Sequence, residues 1–317
     1  MIKLSQKILP FSHKEGSKCI IPLSDYIVEA FPTLISLIGP RGERFDLNLN
    51  IVGRVDNFTL EQNLDKNFVN VFGRSKDGCF CFKIFHCNSE ITIEYKKNNC
   101  ITIPATRSIE SKKSYEKLYL GVDKKLDWDL VIRRCNLAEI FQVLFLLGQK
   151  IPFATVDKCS SYENEDEFES LIRAGFSDIL VPISNYKRNL GIVLDDIPNT
   201  VSPLVRLKSA YLSIRRLFIF EDDKIHILPN LFSQFHCGRL IDIELKNCCI
   251  DFMWSKKKIK KIVIYPIKDS TFSFVFPKEI SSFRLRTNHI DRGKTIQCDD
   301  KIILYKSKRY YLDKFQK

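Results

Sequence analysis

The chain has 317 residues, 44% of them hydrophobic, and Gly and Pro together contribute 24. That length accommodates one large domain or about two to three ordinary ones, each with its own core, and the composition excludes wholesale disorder and low complexity. The formal net charge of +12 admits two readings, an ordinary basic soluble protein or a binder of polyanions such as nucleic acid, anionic lipid or acidic glycan.

The start, "MIKLSQKILPFSHKEG", lacks a continuous apolar segment of secretory length. No run approaches the roughly 18 apolar residues of a membrane span, since the longest, "IFQVLFLLG", is broken by Gln142. The 11 cysteines are odd in number and irregular in spacing, which fits reduced thiols and a cytoplasmic location better than a disulfide framework.

Residues 1–115 read mainly as strands. "FVNVFGRSKDGCFCFKIF" joins two β-rich runs through "SKDG", whose Asp77-Gly78 pair signals a hairpin. "EITIEYKKNNCITI" repeats the pattern, with Ile91, Ile93 and Tyr95 on one face and a turn at Asn98-Asn99. Short strands divided by turns predict a sandwich or barrel. Residues 116–216 change period. In "DWDLVIRRCNLAEIFQVLFLLGQ" the apolar positions from Leu130 to Phe145 recur at helical spacing, with Asp127 as N-cap and Asp129 in the first turn. A second helix fits "EDEFESLIRAG". A third fits "SPLVRLKSAYLSIRRLFIF", capped by Ser202, with Leu204, Leu207, Ala210, Tyr211 and Ile214 as its apolar stripe.

Residues 217–317 return to strands. "RLIDIEL" alternates Leu240, Asp242 and Glu244 against Ile241, Ile243 and Leu245. "KKIVIYPI", "TFSFVFP", "SSFRLRT" and "KIILYKSKRYYL" follow at short intervals. The basic excess leans toward this third, where "WSKKKIKKIVIY" and "LYKSKRYYLDKFQK" alternate basic with apolar and aromatic residues, as half-buried strands with a solvated face do.

A strand with Ile227, Leu228 and Pro229 at its corner, a turn ending in Gly238, and a strand carrying Phe252 and Trp254 follow the third helix. Over about residues 200–270 this succession resembles the C-terminal β-sandwich region of (α/α)6-barrel glycoside hydrolases, family 95, the α-L-fucosidase type. Phe235 stands near where that family has Trp, and the glycine pair expected around Asn247 and Cys248 is missing. The family's catalytic acids lie in a helical barrel that this chain is too short to hold, so the resemblance implies the sandwich and carries no catalytic residue with it.

His226 and His236 lie across the Pro229 break, and in "DKIHIL" His226 alternates away from Ile225 and Ile227; both read as ordinary strand and loop histidines. Cys79, Cys81, His86 and Cys87 form the densest cluster of soft ligands, yet a C-x-C pair along a strand suits zinc poorly, and buried apolar cysteines are expected instead. Cys248 and Cys249 point to opposite faces. Glycoside hydrolysis needs two carboxyls about 5 to 9.5 Å apart; Asp127, Asp129, Glu139, Asp195 and Asp196 are the ones to test. "IGPRGERF", with Gly39 and Gly42, is neither a phosphate loop nor a dinucleotide fingerprint. Trp128, Trp254, Tyr310 and Tyr311 are the candidates to stack on sugar rings, although strand aromatics usually serve the core.

The expected fold class is mainly β with α: two β-sandwich-like domains, residues 1–115 and 217–317, joined by a short helical segment, residues 116–216. The expected function is a glycoside-hydrolase-like accessory protein without a complete catalytic barrel. It would be a binding or interaction module with a carbohydrate or protein partner, and no enzyme, metal, cofactor or membrane span is expected. Two alternatives stand beside it. One is a reduced O-glycosyl hydrolase using carboxylates of the middle segment. The other is an electrostatic binder of nucleic acid or an anionic surface, which predicts a contiguous Lys/Arg face.

Overall fold

The computed structural model describes residues 2–8, 17–95, 99–105, 114–121, 125–127, 130–131, 134, 136–152, 203–288, 290–306 and 308–316. The architecture is mainly β with α, its sheets in a sandwich-like arrangement. Helices α1 (Leu137–Gln149) and α2 (Pro203–Phe218) complete it, with Leu130, Val131 and Arg134 also helical. The chain divides into two compact units, the first Met1–Ser111 with Asp123–Ala210 and the second Lys112–Val122 with Tyr211–Lys317. Residues 116–216, read from sequence as one connector, are thus shared between the units, with the boundary inside α2.

In the first unit a seven-stranded sheet runs β10 (Asn99–Pro104), β9 (Glu90–Tyr95), β8 (Gly78–Cys87), β7 (Phe68–Ser75), β6 (Asp56–Asn63), β1 (Lys3–Ile8), β12 (Lys125–Asp127). It is antiparallel except where β12 joins β1 in parallel. The tight turn between β7 and β8 falls at "SKDG", where Ser75 pairs with Gly78. Val69, Val71, Ile84, Ile91 and Ile93 are buried on one face. A second sheet runs β2 (Ser17–Ile20), β3 (Ile27–Phe31), β4 (Leu34–Ile38), β5 (Arg44–Asn48). Two buried polar contacts tie the sheets: Ser17 Oγ donates to Gln6 Oε1 at 2.7 Å, and Gln62 Nε2 to the Ile20 carbonyl at 2.6 Å. These bonds offset part of the cost of burying the amides, although Gln62 Oε1 finds no partner among the described residues.

Helix α1 is buried on nearly every side, as a helix apolar all round must be. It starts later than the periodicity suggests. Asn136, with extended φ and ψ, caps it through a bond from Ala138 N to Asn136 Oδ1 at 2.9 Å. Asp127 accepts the Leu130 amide at 3.1 Å, the N-cap bond expected of it, ahead of the helical residues Leu130, Val131 and Arg134 that precede the Asn136 break. At the other end Lys150 is buried; its Nζ donates to the Leu64 carbonyl and to Asn67 Oδ1, and its own carbonyl accepts the Leu23 amide.

The second unit is built on a seven-stranded sheet in the order β11 (Lys117–Tyr119), β15 (Cys237–Glu244), β16 (Cys248–Ser255), β17 (Lys258–Pro266), β23 (Tyr310–Gln316), β20 (Ser282–Arg286), β21 (Lys294–Gln297). Three-stranded β13 (Ile219–Glu221), β14 (Ile225–Ile227), β19 (Phe274–Val275) and two-stranded β18 (Ser270–Phe272), β22 (Ile302–Leu304) accompany it. Leu118, Leu240, Ile250, Phe252, Trp254, Ile262, Ile264 and Leu312 form the buried face of the large sheet. The strict alternation read in "RLIDIEL" breaks at Asp242, whose φ of 59° marks a bulge, so Leu240 and Ile243 both face inward.

Gly238 is required by packing: a Cβ there would overlap the Trp254 ring and stand 2.8 Å from the Tyr119 carbonyl oxygen. A buried clasp holds β11 and α2 to the sheet. Arg215 grips Glu116 with Nε at 2.8 Å and Nη2 at 3.0 Å, Tyr211 donates to the same carboxylate at 3.0 Å, and so does the Glu244 amide at 3.1 Å. Burial, and then the Glu116 charge, push the Tyr211 hydroxyl up. Burial by itself would lower Arg215, but its bonds to Glu116 more than reverse this.

Candidate polyanion-binding face

The net charge is not spread evenly over the chain. The second unit holds 25 Lys and Arg against 13 Asp and Glu, whereas the first holds 25 against 25, so the entire excess of +12 belongs to the second unit.

Strand parity gathers part of that excess on one surface. With Leu118, Leu240, Phe252, Ile262 and Leu312 inward, their neighbours point out. Cross-strand pairing then aligns Tyr119 with Arg239, Arg239 with Met253, and Met253 with Lys261. Further along β17, Val263 sits opposite Tyr311, which pairs with Arg286. Cations lie over aromatic rings throughout: Arg239 is 5.0 Å from the Tyr119 centroid, Lys261 5.1 Å from Tyr311, and Arg309 4.7 Å from Tyr265. The carboxylates on this face are engaged. Asp251 accepts the Asp242 amide at 2.8 Å and the Tyr265 hydroxyl at 3.2 Å, while Asp313 takes Arg284 at 2.7 Å as well as Arg286. Burial alone would raise Asp313, but the two guanidiniums hold it below the usual carboxylate range. Among the described residues the second unit's ion pairs use Lys117, Arg215, His226, Arg284 and Arg286. Arg239 and Lys261 enter none of these ion pairs, while Arg309 is bonded to Tyr311 and feels the Asp251 charge.

The β16–β17 hairpin extends the basic character. Ser255 pairs with Lys258, which leaves Lys256 and Lys257 as a two-residue loop with φ of 52° and 59°. Such a turn needs positive φ at both positions and favours Asn-Gly; two lysines bear a cost of about 1 kcal/mol each. Lys256, Lys257, Lys258 and Lys260 are all exposed.

The four aromatic candidates meet different fates. Trp128 lies outside the described residues. Trp254, 1% exposed, packs among Phe218, Phe252 and Gly238, and its Nε1 donates to the Phe235 carbonyl at 3.1 Å; its ring serves the core and presents no face to a sugar. Tyr310 is likewise buried, its hydroxyl accepting the Tyr305 amide at 3.1 Å. Tyr311 alone is on the outer side, 8% exposed beneath Lys261. Sequence reasoning missed Tyr119, Tyr265, Arg239 and Arg309. Parity in "KIKKIVIYP" was the available signal for Tyr265, since it shares a face with Lys261.

Two of the remaining candidates, His226 and Glu139, have local charged partners. His226 meets Asp222 at 3.1 Å and stacks on Phe220 with centroids 4.1 Å apart. Contrary to expectation, Cys79, Cys81 and Cys87 are exposed: Ile84 turns inward, so odd-numbered residues of β8 face out, and His86 lies on the opposite face from them. Cys248 is buried, which pushes its thiol up to about 12, while Cys249 faces the other way. Glu139 is buried against Arg134 at 3.3 Å. Asp129, Asp195 and Asp196 lie outside the described residues. Gly39 and Gly42 close a turn through the bond from Gly42 N to the Gly39 carbonyl. Among the described residues no three His, Cys, Asp or Glu side chains converge as a metal site would require, and no helix is long and apolar enough to cross a membrane.

No family model matches this chain, and no curated protein matches it.

Proposed function

We propose that the chain is a non-catalytic binding module whose second unit takes a polyanion on the outer face of its large sheet. One observation carries this reading: the whole excess of +12 belongs to that unit, and Arg239, Lys261 and Arg309 stand on one face, each over an aromatic ring. A polyanion gains there by releasing counterions, at little desolvation cost to groups already half in water. The residues that resemble a glycoside hydrolase, Leu228, Phe252, Trp254 and Gly238, all serve the core; they support a sandwich of that type without supplying a sugar site.

The test is binding of a labelled oligonucleotide and of a sulfated polysaccharide across a salt series. The logarithm of affinity should fall linearly with the logarithm of salt, by about 0.7 to 0.9 per neutralised anion. Replacing Lys256, Lys257, Lys258 and Lys260 together by Ala should flatten the slope. Binding that ignores salt, or is untouched by the fourfold variant, counts against the proposal. Salt-independent binding of a neutral glycan would favour a second reading, the carbohydrate accessory module, for which the half-exposed rings of Tyr119 and Tyr265 on the same face speak.

A further inference from the structure

We infer that the ligand of this face is a single-stranded nucleic acid whose bases stack on the Arg239–Tyr119 and Arg309–Tyr265 pairs; the inference rests on the polyanion reading above and specifies its ligand. Charge alone suits any polyanion, so the choice among them depends on what lies between the charges.

Three features point to unpaired bases. Arg239 and Arg309 are exposed although each guanidinium lies over a tyrosine ring. One side of the guanidinium is thus held by the ring while the group still reaches solvent, and guanidinium planes and aromatic rings are what unstacked bases stack on. Met253 is 42% exposed in the row between Arg239 and Lys261. A large thioether in the middle of a basic face gains nothing from a phosphate or sulfate, but its polarizable sulfur suits an aromatic ring. Among the described residues the surface is also the solvent side of a sheet, with Tyr119, Arg239, Met253 and Lys261 in lateral register across four strands. A duplex keeps its bases inside and would offer such a surface phosphates alone, whereas a single strand can lay phosphates on Lys261 and the hairpin lysines and bases on the stacked pairs. A sulfated glycan satisfies the cations but has no π face for the guanidiniums.

The experiment compares Arg239→Lys with Arg309→Lys, made together, against the wild-type chain. Lysine keeps each charge and removes the planar group. The probes are a single-stranded oligonucleotide, the same sequence as a duplex, a sulfated polysaccharide and inorganic polyphosphate, all at one salt concentration, with thermal melting to confirm that the variant is folded. The expected result is that the wild type prefers the single strand. The double variant should then lose about fivefold or more of single-strand affinity while its polyphosphate affinity stays within about twofold, a purely electrostatic contact being indifferent to the exchange. If the double variant binds single strand as the wild type does, or the wild type binds duplex or sulfated polysaccharide more tightly than single strand, stacking is overturned and the polyanion reading stands without it. If the wild type binds none of the four probes, the polyanion reading falls and takes this inference with it. Where melting shows the double variant unfolded, Met253→Gln on the same probes decides the matter, with the same losses expected and the same outcomes against.

Discussion

At Gly238 a single hydrogen in place of a side chain lets the Trp254 ring lie against the backbone, with Tyr119 O on the other side. Neither neighbour is a flexible tip that could swing away. Gly238→Ala should therefore destabilise the chain by about 3 kcal/mol, at the upper end of overpacking costs, measurable as a lower denaturation midpoint at unchanged m-value; a variant as stable as the wild type would mean that Trp254 has room to move. The same scale shows what parity does to side chains that look alike in sequence. Tyr310 and Tyr311 are neighbours and both read as ligand aromatics, yet one is sealed in the core and the other lies under Lys261. Cys79 and Cys81, read as buried, are exposed because Ile84 is the residue of β8 that turns inward.

Among the elements, the β16–β17 hairpin stands out, since its two-residue loop places Lys256 and Lys257 at positive φ where Asn-Gly would fit with less strain. Strain of this kind collects where it serves function. Lys256→Asn with Lys257→Gly should raise stability by about 1 kcal/mol, seen as a higher melting temperature, and at the same time weaken polyanion affinity at low salt by removing two charges. A variant more stable and equally tight in binding would show that the lysines at the tip touch no ligand. Helix α1 illustrates the limit of periodicity. Its apolar spacing is clear from Leu130 to Phe145, but the hydrogen bond that sets the start belongs to Asn136, and nothing in the spacing separates a cap from a polar residue on a helix surface. The bulge at Asp242 escapes in the same way, because alternation continues in the letters after the backbone has changed phase.

Over the whole molecule, the charge balance of the first unit makes it the natural control for the second. Lys83 there meets Glu94 at 3.4 Å and lies over Phe68 and Phe85. Lys83→Ala should leave polyanion affinity and its salt slope unchanged in the titration that detects the loss of the hairpin lysines. A comparable loss from Lys83→Ala would show that the ligand reads overall charge and not one face.

What the amino-acid order determined by itself was the class of the fold and several of its strands, but not β11, β12 or β13, which fall in stretches that read as helical. Turn residues and alternation act between near neighbours, and an apolar residue carries its preference for burial wherever it stands. That reach extends to the basic bias of the last third, which is a matter of composition. Only the tertiary structure decided that β11, drawn from ahead of the helices, completes the sheet edge and places Tyr119 beside Arg239. It likewise decided that Arg309 covers Tyr265 and that Lys261 covers Tyr311. The partners in these pairs lie tens of residues apart or more, and their meeting depends on strand order and register. Those follow from how the whole set of buried side chains packs against one another, which no local stretch of sequence contains.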